Sequence, residues 1–231
     1  MMIPNREQME EGEMLLVLKP KGWTSFDVVN KIRCIFHIQK VGHAGTLDPM
    51  ATGLLVVCTG KKTKGIDQYV GLEKEYNVRM MLGAHTESYD AETPIIARHT
   101  TEDVTEEIVR TVLQSFVGHQ VQLPPMWSAV KVRGKRLYKY ALKGQEVERT
   151  PREVFIRSIQ PLEVSIPEVS FNIVCGKGTY VRTLVDDVGK RIGCGAYMTE
   201  LERVRLGEFR LSDAVTIEEL MEYRNQASRE V

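Results

Sequence analysis

The densest group of residues able to do chemistry is GHAGTLDPMATG, Gly42 to Gly53. It sets His43, Thr46, Asp48 and Thr52 in a glycine-rich loop directly ahead of an apolar run, Leu54 to Cys58. Catalytic side chains often sit where a pliable backbone meets a rigid strand end. Glycines beside His43 allow close approach of the backbone to a ligand, and Pro49 stiffens the chain after the only carboxylate of the segment. A carboxyl with a reference pKa of about 3.9 is ionised at neutral pH unless burial shifts it. Asp48 can therefore serve as nucleophile, base or magnesium ligand, or simply cap the following turn. A second group, CGKGTYVRTLVDDVG (Cys175 to Gly189), reads as a strand end, two glycines and a helix start capped by Thr179. Arg182 falls in the first turn of that helix, where a cation opposes the dipole. It is expected to face an anion, either a carboxylate such as Asp48 or a phosphate, unless it simply lies in solvent. Tyr76 is either a core tyrosine or a stacking surface for a base or sugar.

Other chemistries find no support. CTGKKTKG lacks the spacing of a phosphate-binding loop, and neither GxGxxG nor GxSxG occurs. The five histidines are not paired as HExxH or HxH, and the four cysteines match no zinc spacing. No metal and no cofactor are expected. The polar N-terminus has no signal-peptide core, and the longest apolar run is too short to cross a bilayer. With no disulfide scaffold either, the expected compartment is the cytoplasm.

The elements that must position these groups follow from periodicity. Of 231 residues, 42% are hydrophobic and 27% charged, an ordinary globular balance. Met14–Leu18 and 54–58 read as strands, and 24–36 as a helix begun by Thr24-Ser25 with Phe26, Val29, Ile32 and Phe36 inward. Residues 41–49 read as loop and 61–70 as a short helix. Residues 73–82 form a strand with Tyr76, Val78 and Met80 on one face. Residues 84–93 read as loop. Residues 104–117 form an amphipathic helix burying Val104, Ile108, Val112 and Phe116. A short strand at 127–132 and a basic helix at 135–143 precede two neighbouring strands, 155–164 and 169–175. A helix at 179–191 stopped by Gly193, a strand or irregular stretch at 201–211 and a helix at 216–223 complete the chain. Irregular alternation with hairpin-like strand pairs predicts a mixed α/β fold. Residues 1–12 are expected to be a flexible lead-in.

Net charge is zero, with 31 basic and 31 acidic side chains, yet the charge is segregated. Lys131 to Arg152 holds eight basic and two acidic residues, whereas Glu87 to Glu107 holds one and seven. A neutral protein can still present one basic face to an anionic partner.

Five segments in order carry a specific resemblance: LKPKGWTS, GHAGTLDPMATGLL, LEKEYNVRMMLG, PPMWSAVKVRGKRLYKYALKG and KGTYVRTLVDDVGKRIGCGAYMTELER. Together they resemble the TruB family of tRNA pseudouridine synthases, from about Gly12 to Leu220. The resemblance implies an isomerase that converts the T-loop uridine at tRNA position 55 to pseudouridine. It implies two subdomains sharing a mixed, largely antiparallel sheet with flanking helices and a central cleft. Asp48 would be catalytic, and Arg182 would pair with it. His43 would help open the T-loop, Tyr76 would pack on the base, and Tyr180 and Leu201 would line the pocket. Lys19 and Pro20 would support the catalytic loop. Lys61, Lys62, Lys64, Lys131, Arg133, Lys135, Arg136 and Lys139 would track RNA phosphates. The family's TDxxDxxG stretch appears as TESYDAET, Thr86 to Thr93, with Glu87 for the first aspartate and Thr93 for the glycine, which puts local loop geometry in question. Residues 1–231 are expected to form a single catalytic domain without a C-terminal PUA domain, acting as a monomer on the T-stem-loop with no protein partner and no membrane. A purely RNA-binding module would share the basic segments but would not need Asp48.

Overall fold

The computed structural model describes residues 3–227. In chain order the first elements are α1 (Arg6–Gly12), β1 (Met14–Lys19), α2 (Ser25–Phe36), β2 (Val41–Ala44), β3 (Thr52–Thr59), a 3-10 turn (Gly60–Gly65), α3 (Ile66–Val70) and β4 (Lys74–Leu82). Then come β5 (Ala84–Thr86), β6 (Ile95–Arg98), α4 (Glu106–Gln114), β7 (Gly118–Gln122), β8 (Lys131–Val132), β9 (Lys135–Arg136) and α5 (Tyr138–Ala141). The last are β10 (Arg152–Ser165), β11 (Glu168–Cys175), α6 (Val181–Ile192), β12 (Ala196–Leu206), β13 (Phe209–Arg210), a 3-10 turn (Leu211–Asp213) and α7 (Ile217–Ala227). The chain divides into two units, Met1–Tyr76 with Leu201–Val231, and Asn77–Glu200.

In the first unit β3 pairs antiparallel with β1 and β2, and parallel with β12. Its continuous apolar sequence follows from being covered on both faces, as buried sheets are. Leu55 and Val57 pack with Leu15, Val17, α2 and Leu220 of α7, while Leu54 and Val56 pack with Leu16 and Leu206. α2 begins as its sequence predicts: Thr24 Oγ1 accepts from Asp27 N at 3.1 Å, and the Asp27 carboxylate accepts from Thr24 N at 2.8 Å. Donation from the Thr24 hydroxyl at 2.6 Å, and then from Thr24 N, holds the Asp27 carboxyl below the usual carboxylate range. Val28 and Ile35 join the core, whereas Phe26 is exposed beneath the Arg33 guanidinium, 5.6 Å from its ring centre.

The first twelve residues are not a flexible lead-in throughout. Asn5 and Gln8 form a capping box for α1, and Met9 is fully buried. One apolar residue in seven shows no period, so only its burial reveals the helix. Residues 41–44, expected as loop, are the edge strand β2.

In the second unit the strand order is β4-β11-β10-β7, with β10 antiparallel to both of its neighbours. The strands expected at 73–82, 155–164 and 169–175 are present, and Tyr76, Val78 and Met80 point inward. Parallel β3/β12 among antiparallel pairs makes the expected mixed α/β class. α4 buries Val109 and Leu113; of the expected row, Phe116 just beyond the helix is buried while Ile108 is exposed. A spacing of four drifts about 40° per step around a helix of 3.6 residues per turn. The expected basic helix at 135–143 is instead a tight hairpin followed by the single turn α5. Arg133 and Gly134 both have positive φ, 49° and 78°, the pattern of a type I′ turn between β8 and β9.

Candidate active site

The loop carrying Asp48 is tied down through its backbone. Ser25 Oγ accepts from Leu47 N at 2.9 Å and donates to Leu47 O at 3.3 Å. Asp48 O accepts from Ala51 N at 3.1 Å, and Pro49 O from Gly22 N at 2.8 Å. Lys19 is fully buried, and its ammonium donates to Pro20 O at 3.0 Å, Trp23 O at 2.5 Å and Pro49 O at 3.2 Å. An ammonium offers three donors and loses its hydration when buried, and the three carbonyls take the place of that water. Lys19 therefore joins the Lys19-Pro20 turn to the residue after Asp48. The Asp48 side chain is half-buried on this braced backbone.

Among the described residues Arg203 is the largest fully buried side chain, and it is not among the site residues expected from sequence. Its Nε donates to Leu54 O at 2.7 Å and its Nη2 to Gly45 O at 3.0 Å, clamping both ends of the loop. The signal was available: Leu201-x-Arg203 places Arg203 on the same inward face as Leu201, which is 7% exposed. Close approach of Arg203 also explains Gly53, where a Cβ would lie 2.4 Å from Arg203 O at a φ of 103°.

His43, on β2, is half-buried with no hydrogen bond to Nδ1. Burial, followed by the charge of Arg203, lowers its pKa, which favours a neutral imidazole at pH 7. The unfolded chain, with a reference value of about 6.5, then binds the proton more readily than the folded protein. Folding stability is therefore expected to fall as pH is lowered from about 6.5 toward the depressed folded value. Thermal unfolding of the parent and of His43→Asn at pH 5 to 7.5 checks this: the variant should show a shallower decline, and equal slopes would contradict it. Tyr76 is inward and 8% exposed, near the start of β4.

The second unit holds Tyr180 and Arg182. Thr179 does not cap α6; its hydroxyl donates to Gly176 O at 3.1 Å, and Tyr180 is the residue at the cap. Gly193 ends the helix in the left-handed conformation as expected. Arg182 is 3% exposed and does face an anion: Nη1 lies 3.5 Å from Asp90 Oδ2 and 3.4 Å from Ser88 O. Asp90 is fully buried, and sequence reading missed its role because Thr86 to Thr93 looked like a polar loop. Instead, the segment folds around this carboxylate. Asp90 Oδ1 accepts from Ser88 Oγ at 2.5 Å and Glu92 N at 3.0 Å, and Asp90 O from Thr86 Oγ1 at 2.7 Å. Thr93, in place of the expected glycine, accepts from Ser88 N at 3.0 Å, so the substitution adds a bond that orders the loop.

Among the basic residues expected to meet RNA, Lys61, Lys64, Lys131, Arg133, Lys135, Arg136 and Lys139 are exposed. Lys62 is exposed too, but its ammonium lies 3.0 Å from Glu13 in a surface ion pair. Among the described residues no group of three or more His, Cys, Asp or Glu side chains is arranged to hold a metal, and no helix is long and apolar enough to cross a membrane.

Comparison with known proteins places these features in context. Residues 33–181 match the model of the TruB family pseudouridylate synthase N-terminal domain, and residues 182–231 that of a tRNA pseudouridylate synthase B C-terminal domain. The chain is 46% identical over 225 residues to the tRNA pseudouridine synthase B of Phocaeicola vulgatus, covering 94% of this chain and 95% of that one. It is 45% identical over 230 residues to that of Bacteroides fragilis, covering 96% and 98%. Among solved structures, the archaeal box H/ACA sRNP Nop10–Cbf5 complex contains a chain that matches with a TM-score of 0.74 at 27% identity. That match covers 99% of this chain, which spans only 58% of the archaeal chain.

Proposed function

The chain belongs to the TruB family of pseudouridylate synthases, and from that premise we propose that it converts uridine 55 in the T-loop of tRNA to pseudouridine, with Asp48 as the catalytic carboxylate. The observation that carries the assignment is the braced loop: one carboxylate on a backbone held by Ser25, Lys19, Gly22 and Arg203. The isomerisation breaks the N1–C1′ bond, turns the uracil and forms a C5–C1′ bond; C5 loses a proton and N1 gains one. The reaction is internally balanced and consumes no co-substrate. A single ionised carboxylate suffices as covalent nucleophile or as a base at the sugar. A rigid loop places that charge without reorganisation as the reaction proceeds.

His43, Tyr76, Tyr180, Arg182 and Leu201 are assigned to hold and enclose the target base, which must leave the stack at a cost of a few kcal/mol. Lys19 and Pro20 are assigned to support the loop. The reading takes the protein as one catalytic domain, a monomer that works on tRNA in the cytoplasm without a protein partner. The direct test is to incubate it with an unmodified tRNA transcript and map the product. Pseudouridine at the T-loop uridine is expected, and its absence with folded RNA and folded protein would overturn the assignment.

The exposed hairpin and turn at 131–139 are assigned to the phosphates. Removing one basic side chain from a phosphate reduces the slope of log affinity against log salt by about 0.7 to 0.9. Replacing Lys135, Arg136 and Lys139 with glutamine should therefore flatten that slope by about two units and weaken binding, while turnover at saturating RNA changes much less. Titrations at several salt concentrations read this directly. Equal slopes for variant and parent would place the RNA on another face.

A further inference from the structure

Gln122 ends β7 and is 2% exposed, although nothing in its sequence context marks it. Its side-chain amide is spent on one distant residue. Gln122 Oε1 accepts from Tyr180 N at 2.9 Å, and Gln122 Nε2 donates to Tyr180 O at 3.2 Å. Tyr180 O also accepts from Leu184 N at 3.1 Å, the first helical bond of α6. A glutamine amide carries a donor and an acceptor side by side on one plane, matching the N–H and C=O of a single extended residue. Tyr180 has φ −96° and ψ 105°, and its side chain makes no capping bond. The helix start thus has no local cap of its own, and its orientation is set from outside by Gln122.

We infer that Gln122 is a positioning residue for the reaction, fixing the Tyr180 peptide and with it the entry of α6 that carries Arg182. The inference rests on the proposed placement of Tyr180 and Arg182 at the target base. Register supports the arrangement. Gln122 pairs with Arg152 across β7 and β10, so the amide sits on a strand end that a neighbouring strand holds in place. Beyond it, Pro124 O accepts from Arg149 Nη1 at 3.2 Å, closing the base of the excursion that bears the basic hairpin. Beside Gln122 opens a cavity of about 430 Å³ whose charged lining is Asp187, Lys190 and Arg191.

Two variants separate positioning from a merely structural role. Gln122→Glu keeps the shape and, as carboxylate, still accepts from Tyr180 N but cannot donate to Tyr180 O. Protonated, the new carboxyl restores a donor and an acceptor in the amide's places, and burial raises its pKa toward the assay range. Gln122→Met keeps approximate length and loses both bonds at every pH. Single-turnover rates on an unmodified tRNA transcript are measured from pH 5.5 to 8 and divided by the parent's rate at the same pH. Binding affinity and melting temperature are measured alongside. At pH 8 both variants should lose roughly 10²-fold in rate, the size of effect a misplacement of about 1 Å produces, with affinity within about three-fold of the parent. The ratio for Gln122→Glu should climb as pH falls, while that for Gln122→Met stays flat. Parent-like rates in both variants, or a loss in Gln122→Glu that does not recover at low pH while the protein stays folded, would overturn the inference. If Gln122→Met fails to fold, the pH course of Gln122→Glu alone decides. A parent that forms no pseudouridine would instead refute the proposed function itself.

Discussion

Replacing Asp48 with asparagine should abolish pseudouridine formation, by about 10⁴-fold or more, while tRNA affinity stays within about three-fold. The change removes one negative charge and almost no volume. The loop should keep its shape, because Ser25, Lys19, Gly22 and Arg203 hold it through backbone atoms of Gly45, Leu47 and Pro49. An amide is neither a competent nucleophile at the sugar or base nor a general base, so no residual route through this residue is expected. Purified variant and parent are compared in single-turnover assays with excess enzyme, alongside filter binding to the same transcript. Substantial turnover by the variant would remove Asp48 from the mechanism. A large loss of affinity would mean that the carboxylate, or the loop shape it maintains, serves binding first.

The second large effect is expected at Asp90, remote in sequence from both Asp48 and Arg182. Asp90→Asn keeps the size of a fully buried side chain but removes the charge facing Arg182 at 3.5 Å. Removing one partner of a buried ion pair typically destabilises by about 3–5 kcal/mol, because the other charge stays desolvated with less to offset it. For a chain of this length, that corresponds to a melting temperature lower by roughly 6–20 °C. The new amide also inserts a donor where Oδ1 accepts from Ser88 Oγ or Glu92 N, so the loop from Thr86 to Thr93 should loosen. Arg182 would then lose one of its anchors, and turnover at saturating tRNA should fall more than affinity does. Thermal melts and single-turnover rates read the two parts separately. An unchanged melting temperature would show that Asp90 contributes little to holding Arg182.

Part of the site could be read without a structure because its chemistry is local. Thr24 with Asp27, and Thr216 with Glu219, announce helix starts whose capping bonds span three residues. Gly193 announces a helix stop for the same reason, since a left-handed residue is cheapest as glycine. The alternation of Tyr76, Val78 and Met80 marks one face of a strand, and it is the buried one. Asp48 stood out as the lone carboxylate in a glycine-rich loop before an apolar strand, and the ordered motifs around it carried the family. Where local patterns were weak, they misled: α1 shows a single apolar residue, β2 is only four residues long with a glycine inside it, and the 131–143 segment is too short for its period to tell a hairpin from a helix.

What only the tertiary structure decided are the supports of the site, and they share one property. Lys19 meets Pro49 across 30 residues, Gln122 meets Tyr180 across 58, Arg182 meets Ser88 across 94 and Arg203 meets Gly45 across 158. In a sequence Gln122 and Arg203 look like solvent-facing surface, because a charged or amide side chain defaults to water unless a partner is at hand, and even for Lys19 and Arg182 the sequence does not name the carbonyls they reach. Whether a partner is at hand depends on how strands order themselves, not on the residues within one turn or one pleat. The composition and motifs of this chain single out the carboxylate proposed to react and most of the elements that form. The packing of those elements determines which buried donors reach which carbonyls, and so how rigidly the reacting residue is held.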